Sequence, residues 1–152
     1  MCFMGDPLSP ARRSWLMGRV KTKNTAPELV VRSLIHRLGY RFRLHYKKLP
    51  GNPDLAFPAK KKVIFVHGCF WHRHDACHLA TTPKTRAQFW EKKFKDNKAR
   101  DGRVNVRLNE LGWSVLTIWQ CELKNLSKLV DEITIFLDSD LDGSEARIID
   151  RR

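Results

Sequence analysis

Apolar residues recur at helical spacing between Thr25 and Gly39, where Val30, Leu34, Ile35 and Leu38 share a face. Thr25 and Glu28 have the spacing of a capping box at the start of this helix, and Gly39 supplies its stop. The period then changes to two. Tyr40, Phe42, Leu44 and Tyr46 alternate with Arg41, Arg43, His45 and Lys47, which predicts a half-buried strand with a cationic outer face. Pro50-Gly51-Asn52-Pro53 reads as a turn, Asp54 to Phe57 as a short strand stopped by Pro58, and Lys60-Lys61-Lys62 as a charged turn. Val63-Ile64-Phe65-Val66 is apolar on both faces, the pattern of a central strand. Residues 67–84 have no period and are crowded with His, Cys and Trp. A second capping box, Thr85 with Gln88, opens a helix through Phe89, Trp90 and Phe94. That helix is expected to break near Gly102, resume toward Leu108 and Leu111, and close at Gly112. Trp113 to Trp119 is another buried strand, and Leu126, Leu129, Val130, Ile133 and Leu137 mark a final amphipathic helix.

Helix, three strands, helix, strand, helix is the order of an α/β domain whose sheet lies between helices. Residues 25–137 carry all of it. Residues 1–24 form a basic arm without a clear period, either a frayed terminus or a grip on a polyanion, and 138–152 a charged tail. No internal repeat or low-complexity linker interrupts the chain. At 152 residues it suits one domain able to bury a core without disulfide staples.

Charge changes the picture most. Lys and Arg number 29 against 16 Asp and Glu, a formal net charge of +13. A surplus of this size on so small a domain points to a phosphate-bearing partner more than to a solubilising surface. The first twenty residues mix Asp6, Arg12, Arg13 and Arg19 with scattered apolar side chains, unlike a signal peptide or a membrane span, so a cytoplasmic protein is expected. There, cysteines serve better as metal ligands or free thiols than as disulfides.

Cys69, His74 and Cys77 fall within nine residues, and Cys121 follows the strand that ends at Trp119. Three thiolates and an imidazole suit tetrahedral Zn²⁺, and the ion would pin a loop with few aliphatic residues to the sheet. Ordinary buried thiols are the plainer reading. Cys2 is left over, His36 and His45 read as structural, and His67, His72 and His78 need not bind the zinc, which leaves His72 free for other chemistry. Asp54 follows Pro53 at a strand start opposite Val66. Pro-Asp is the first half of the nuclease signature Pro-Asp…acid-x-Lys, which places a Mg²⁺-binding carboxylate against a phosphate. The second half is absent, since Val66-His67-Gly68 stands where it would fall.

His67-Gly68-Cys69-Phe70-Trp71-His72, with Leu49-Pro50-Gly51 and Pro53-Asp54 before it, resembles the very-short-patch-repair (Vsr) DNA mismatch endonucleases. So do Lys23-Asn24-Thr25 with Glu28, Phe89-Trp90, Asn97 with Arg100-Asp101, and Leu111-Gly112-Trp113. The similarity runs from about residue 12 to about residue 137. It implies a restriction-endonuclease-like α/β fold, an α/β/α sandwich on a central mixed sheet, with a structural zinc. It also implies a Mg²⁺-dependent nick in double-stranded DNA, 5′ of the thymine of a T·G mismatch left by deamination of 5-methylcytosine, with mismatch-repair proteins as candidate partners. The enzyme would act as a monomer on DNA, at the nucleoid. The family lacks the acid-x-Lys half-motif, in keeping with its absence here. The resemblance further implies Asp54 as an acidic Mg²⁺ ligand and Val66 as a backbone-carbonyl ligand. Val66 stands where the family carries Thr, a change that a carbonyl ligand tolerates. His72 is implied as the proton-transfer group, with Asp101 and Glu28 supporting it and the metal waters, and Cys69, His74, Cys77 and Cys121 as zinc ligands. The His74–Cys77 spacing is one residue longer than in the family's common form. Phe70, Trp71 and Trp90 are implied as wedges beside the mismatch, with Lys93 and Asn97 as further DNA contacts. For Trp90 core packing is an equal reading, and for Glu28 capping accounts for the residue by itself. Two rivals are a zinc-containing DNA-binding module without catalysis and a restriction or homing nuclease that cuts matched DNA.

Overall fold

A computed structural model describes residues 9–139. In chain order these form α1 (Pro10–Gly18), α2 (Ala26–Arg37), β1 (Arg43–Leu44), β2 (Leu55–Phe57), β3 (Lys62–His67), α3 (Ala87–Glu110), β4 (Ser114–Trp119) and α4 (Leu126–Asp138). Short 3₁₀ turns cover Pro58–Lys60 and Gln120–Lys124. The sheet order is β1-β2-β3-β4, antiparallel at the first two interfaces and parallel between β3 and β4, so it is mixed. On one face, Val31 and Ile35 of α2 and Leu129, Ile133 and Leu137 of α4 pack on Leu55, Phe57, Ile64, Val66, Leu116 and Ile118. On the other, Leu108 and Val104 of α3 pack on Ala56, Val63 and Phe65. The sheet therefore lies between helices, and β3 is buried along nearly its whole length, as its double-sided apolar run requires.

Several elements depart from the sequence pattern for identifiable reasons. The strand expected from Tyr40 to Lys47 shrinks to Arg43–Leu44, because His45 enters the left-handed region at φ +45° and turns the chain out of the ladder. Its aromatics are still used: Phe42 packs on one core and Tyr46 on the other. In α2 the buried positions are Glu28, Val31 and Ile35, whereas Val30 and Leu38 are exposed. The helix is thus rotated so that a carboxylate faces inward. No break occurs at Gly102, since a penalty of about 1 kcal/mol for one glycine does not interrupt a helix anchored by Phe94 and Leu108 on either side. The Thr85–Gln88 box does not form either. Arg86 caps α3 in a left-handed conformation without a side-chain bond.

Residues 10–18, expected to lack regular structure, are helical. Ser9 accepts a bond from the Arg12 backbone N–H, and Pro10 starts the helix, a recognisable pair of start signals. No residue of α1 is buried, and the Arg19 guanidinium lies 3.8 Å from the centre of the Trp15 ring. The remainder of the expected arm, residues 1–8, and the tail beyond 139 lie outside the described residues. Lys62, expected in an exposed turn, is instead the buried first residue of β3. Its ammonium donates to the carbonyls of Phe136 (2.6 Å), Leu137 (3.2 Å) and Ser139, and so satisfies the end of α4. Among the described residues, no helix is long and apolar enough to cross a membrane.

Candidate active site and metal centre

Two strand ends and the face of one helix converge on Asp54. Pairing of Leu55 with Ile64 sets Asp54, just before β2, beside the end of β3, and its Oδ2 accepts a 2.7 Å bond from the Val66 N–H. The turn before it is held close to α3: Gly51 has φ +75°, and a Cβ there would come within 2.5 Å of Val104. Burial pushes the Asp54 carboxyl up to about 6, and the Val66 bond only partly offsets this. Glu28, His45 and Asp54 bring ligand-type atoms within 4.8 Å of one another. A half-buried carboxylate that is hard to ionise alone, with the buried Glu28 carboxylate beside it, is a donor set suited to a hard divalent cation.

Glu28 has more partners than a capping box gives it. One oxygen accepts from the Thr25 hydroxyl (3.1 Å), and the other accepts from the Asn24 N–H and from Arg32, each at 3.0 Å. Thr25 is the N-cap, as its spacing suggests, but makes no side-chain bond to the helix backbone.

At the other side of the β3 terminus stands a histidine pair. His67 ends the strand, and His72 folds back to stack on it with ring centroids 3.8 Å apart and planes 8° from parallel. His72 Nδ1 lies 2.6 Å from Oδ2 of Asp101, near the middle of α3. Burial pulls the Asp101 carboxyl up, but the bond and charge of His72 outweigh that and hold it below the ordinary value. With Asp101 accepting from Nδ1, the Nε2 lone pair is the one left for proton transfer. His67 is kept neutral: burial first, then the neighbouring His72, lowers it to about 3.

Cys69, His74, Cys77 and Cys121 come together as the spacing predicts, with all four ligand atoms within 4.8 Å of one another. His74 Nδ1 sits 3.3 Å from the Cys121 sulfur, while its ring stacks on Trp119 at 4.3 Å. Burial raises the Cys69 thiol and pushes Cys121 up to about 12, whereas at Cys77 the N–H of Leu79 and the neighbouring thiols outweigh burial and lower it. Three sulfurs and one imidazole, without a carboxylate, match the chemistry of a closed tetrahedral Zn²⁺ site.

Phe70 and Trp71 lie between these clusters. They do not stand free in a polar loop. Phe70 packs edge-on against Phe94 and Trp90 at 5.2 and 5.7 Å, and Trp71 lies 5.9 Å from Trp90. Trp90 is only 7% exposed, so it forms the floor of this aromatic group, while Phe70 and Trp71 are half-buried at its surface. Lys93 approaches the Trp71 ring at 6.0 Å, and the Asn97 amide donates to the Trp71 carbonyl at 3.1 Å.

From sequence, His45 reads as structural, His67 as a histidine with no required ligand role, and Arg32 carries no signal, so none of the three is placed at the site. An imidazole closing an otherwise apolar strand next to Val66 was an available signal for His67. For the other two there was none, because their roles depend on α2 and the β1–β2 connection meeting.

Comparison with known proteins gives a consistent answer. Residues 5–78 match the family model described as DNA mismatch endonuclease Vsr. The chain is 51% identical over 135 residues to the type II nicking enzyme V.XorIIP of Xanthomonas oryzae pv. oryzae, an alignment spanning 89% of this chain and 98% of that protein. It is 44% identical over 129 residues to DNA mismatch endonuclease Vsr of Escherichia coli strain K12, covering 85% and 82%. Against the type II nicking enzyme V.NmeAIP of Neisseria meningitidis it is 36% identical over 137 residues, covering 86% and 97%.

Proposed function

The chain belongs to the Vsr DNA mismatch endonuclease family, a family of strand-specific DNA endonucleases, and on that premise we propose that it nicks one strand of a duplex 5′ of the thymine in a T·G mismatch. The mismatch would arise by deamination of 5-methylcytosine, and the nick would start very-short-patch repair. The observation that carries this reading is the His72–Asp101 contact of 2.6 Å near the half-buried Asp54 carboxylate. The chain then acts as a monomer on DNA in the cytoplasm, with residues 25–137 as a restriction-endonuclease-like domain, 1–24 as a DNA-gripping arm and 138–152 as a charged tail. Mismatch-repair proteins are its candidate partners.

Asp54 and the backbone carbonyl of Val66 would hold Mg²⁺, with Glu28 beside them. Bound there, Mg²⁺ supplies charge neutralisation at the phosphodiester and eases deprotonation of water. His72, its tautomer fixed by Asp101, holds or moves the proton at Nε2. Neutral His67 supports the ring from below without adding charge. Cys69, His74, Cys77 and Cys121 would hold a structural Zn²⁺ that ties the His72 loop to the end of β4. Phe70 and Trp71, standing on Trp90, would enter the helix beside the mismatch, where a wobble pair is easier to unstack than a matched one. Lys93 and Asn97 would contact the DNA on the same side.

The test is a nicking assay on T·G and T·A duplexes with and without Mg²⁺. A single Mg²⁺-dependent nick 5′ of the mismatched thymine is expected. Equal cutting of T·A duplex would make the protein a matched-site nuclease, and binding without any nick would make it a DNA-binding zinc module.

A further inference from the structure

Arg32 joins the carboxylate cluster from within α2. One of its terminal nitrogens donates to Glu28 Oε2 at 3.0 Å and lies 2.9 Å from His45 Nε2, while its Nε is buried with no hydrogen-bond partner among the described residues. Leaving a buried guanidinium donor unsatisfied costs stability, so this placement is not explained by folding alone. Since Arg32 only donates, His45 Nε2 must accept, which fixes the imidazole as neutral and makes it a steering group for the guanidinium. His45 is itself anchored to the Asp54 segment. Its N–H donates to the Asp54 carbonyl at 3.2 Å, and φ +45° turns it there.

The charged and titratable groups facing this cluster come from four segments. Glu28 and Arg32 lie on α2, Asp54 precedes β2, and Lys23 and His72 act from the flanking segments. Two carboxylates are an attractive pocket for a divalent cation, but Arg32 returns one positive charge to it permanently. A divalent ion added to that set leaves an excess of one positive charge, and a single phosphodiester carries the one negative charge that balances it.

We propose that Arg32, steered by His45, is a positioning residue that makes divalent-cation loading at Asp54 depend on bound DNA. In the free protein the guanidinium weakens the cation site by repulsion while holding Glu28 in place. In the complex the phosphate offsets that repulsion. The cation is then held firmly only where there is a backbone to cut, which limits binding of the ion in the absence of substrate. This rests on the reading of Asp54 as a cation ligand.

The experiment measures Mn²⁺ affinity of the full chain by electron paramagnetic resonance, without DNA and with a nicked product duplex. Wild type should bind Mn²⁺ roughly ten-fold or more tightly with the duplex than without it, and Arg32→Gln should bind it about ten-fold more tightly than wild type in the free protein, with a smaller gain on adding duplex. Arg32→Lys, which keeps the charge, should restore the wild-type pattern, a rescue that a loss of packing would not give. Equal Mn²⁺ affinity of wild type with and without DNA overturns the proposal without recourse to any variant. So does weaker binding by free Arg32→Gln, which would make Arg32 an organiser of Glu28 only. Asp54→Asn separates the two levels. If it leaves Mn²⁺ affinity unchanged, the cation reading of Asp54 fails as well; if it removes binding while Arg32→Gln changes nothing, only the role of Arg32 is lost.

Discussion

Of the three metal-capable clusters among the described residues, the cysteine set and the set around Asp54 are built on different principles. The Cys69–His74–Cys77–Cys121 set is soft, complete at four donors and closed, with three of its members on one loop. The set around Asp54 is hard and open, and each of its members comes from a different segment: Glu28 from α2, His45 from the turn after β1, Asp54 from just before β2. A closed set holds structure, whereas an open one leaves room for substrate. The difference decides what each cluster should lose on mutation, stability for the first and chemistry for the second.

The sharpest break between them is Asp54→Ala. It removes the one carboxylate hydrogen-bonded to Val66 and should abolish nicking while mismatch binding is largely kept. A gel-shift titration run beside the nicking assay checks both halves, and a near wild-type rate in Mg²⁺ would end the metal assignment. Next in size is His72→Ala. Loss of a general acid or base lowers rates by roughly 10²–10⁴-fold, and zinc content should not change because His72 bonds Asp101 rather than the thiolate set. Zinc loss from this variant, measured by metal analysis, would move His72 to a structural role.

Cys121→Ser probes the closed set. It removes the thiol that, on the proposed reading, joins the loop to the segment after β4, so the expected result is loss of bound zinc and faster proteolysis within residues 67–84. The domain keeps cores on both faces of the sheet, so local disorder should precede global unfolding. A metal-free wild type that resists protease and is fully active would falsify the zinc reading.

The same contrast explains what could be read in the chain. The zinc-type set was legible because its spacing is local and its side chains are unmistakable; only Cys121 needed the fold, and it sits directly after a strand that was itself evident. Apposition of Asp54 and Val66 was legible from two strands around a short turn. His45 and Arg32 were not, because alternation predicted a regular strand through His45, whereas its φ of +45° turns the ring toward Asp54. Lys62 was misplaced for a related reason. Three consecutive lysines look solvated, and nothing local reveals that the third meets the carbonyls ending α4, more than seventy residues later. The helix rotation that buries Glu28 was missed because Val30 and Leu38 suggested a face that the structure leaves exposed.

The smallest effect expected separates a carboxylate kept for a cation from one kept for packing. Burial raises the Asp54 carboxyl from an ordinary value near 3.8 to about 6 in the metal-free protein. Below the unfolded value the group is protonated in both states. As pH rises from there toward 6, the unfolded chain ionises first, and the stabilisation from the half-buried protonated acid is progressively lost. Asp54→Asn has no such titration. Without divalent ions its Tm should therefore gain on that of wild type between about pH 4 and pH 6, and the difference should level off above that range. Adding Mg²⁺ at pH 7.5 should narrow or reverse the gap, since only wild type offers the charged ligand and binding to the native state raises its stability. Differential scanning calorimetry of the two proteins across this range, with EDTA and then with Mg²⁺, reads both effects. A gap that does not change with pH would mean that the Asp54 carboxyl ionises in the folded protein as it does in water, and that the burial of this group does not hold an acid in reserve for a cation.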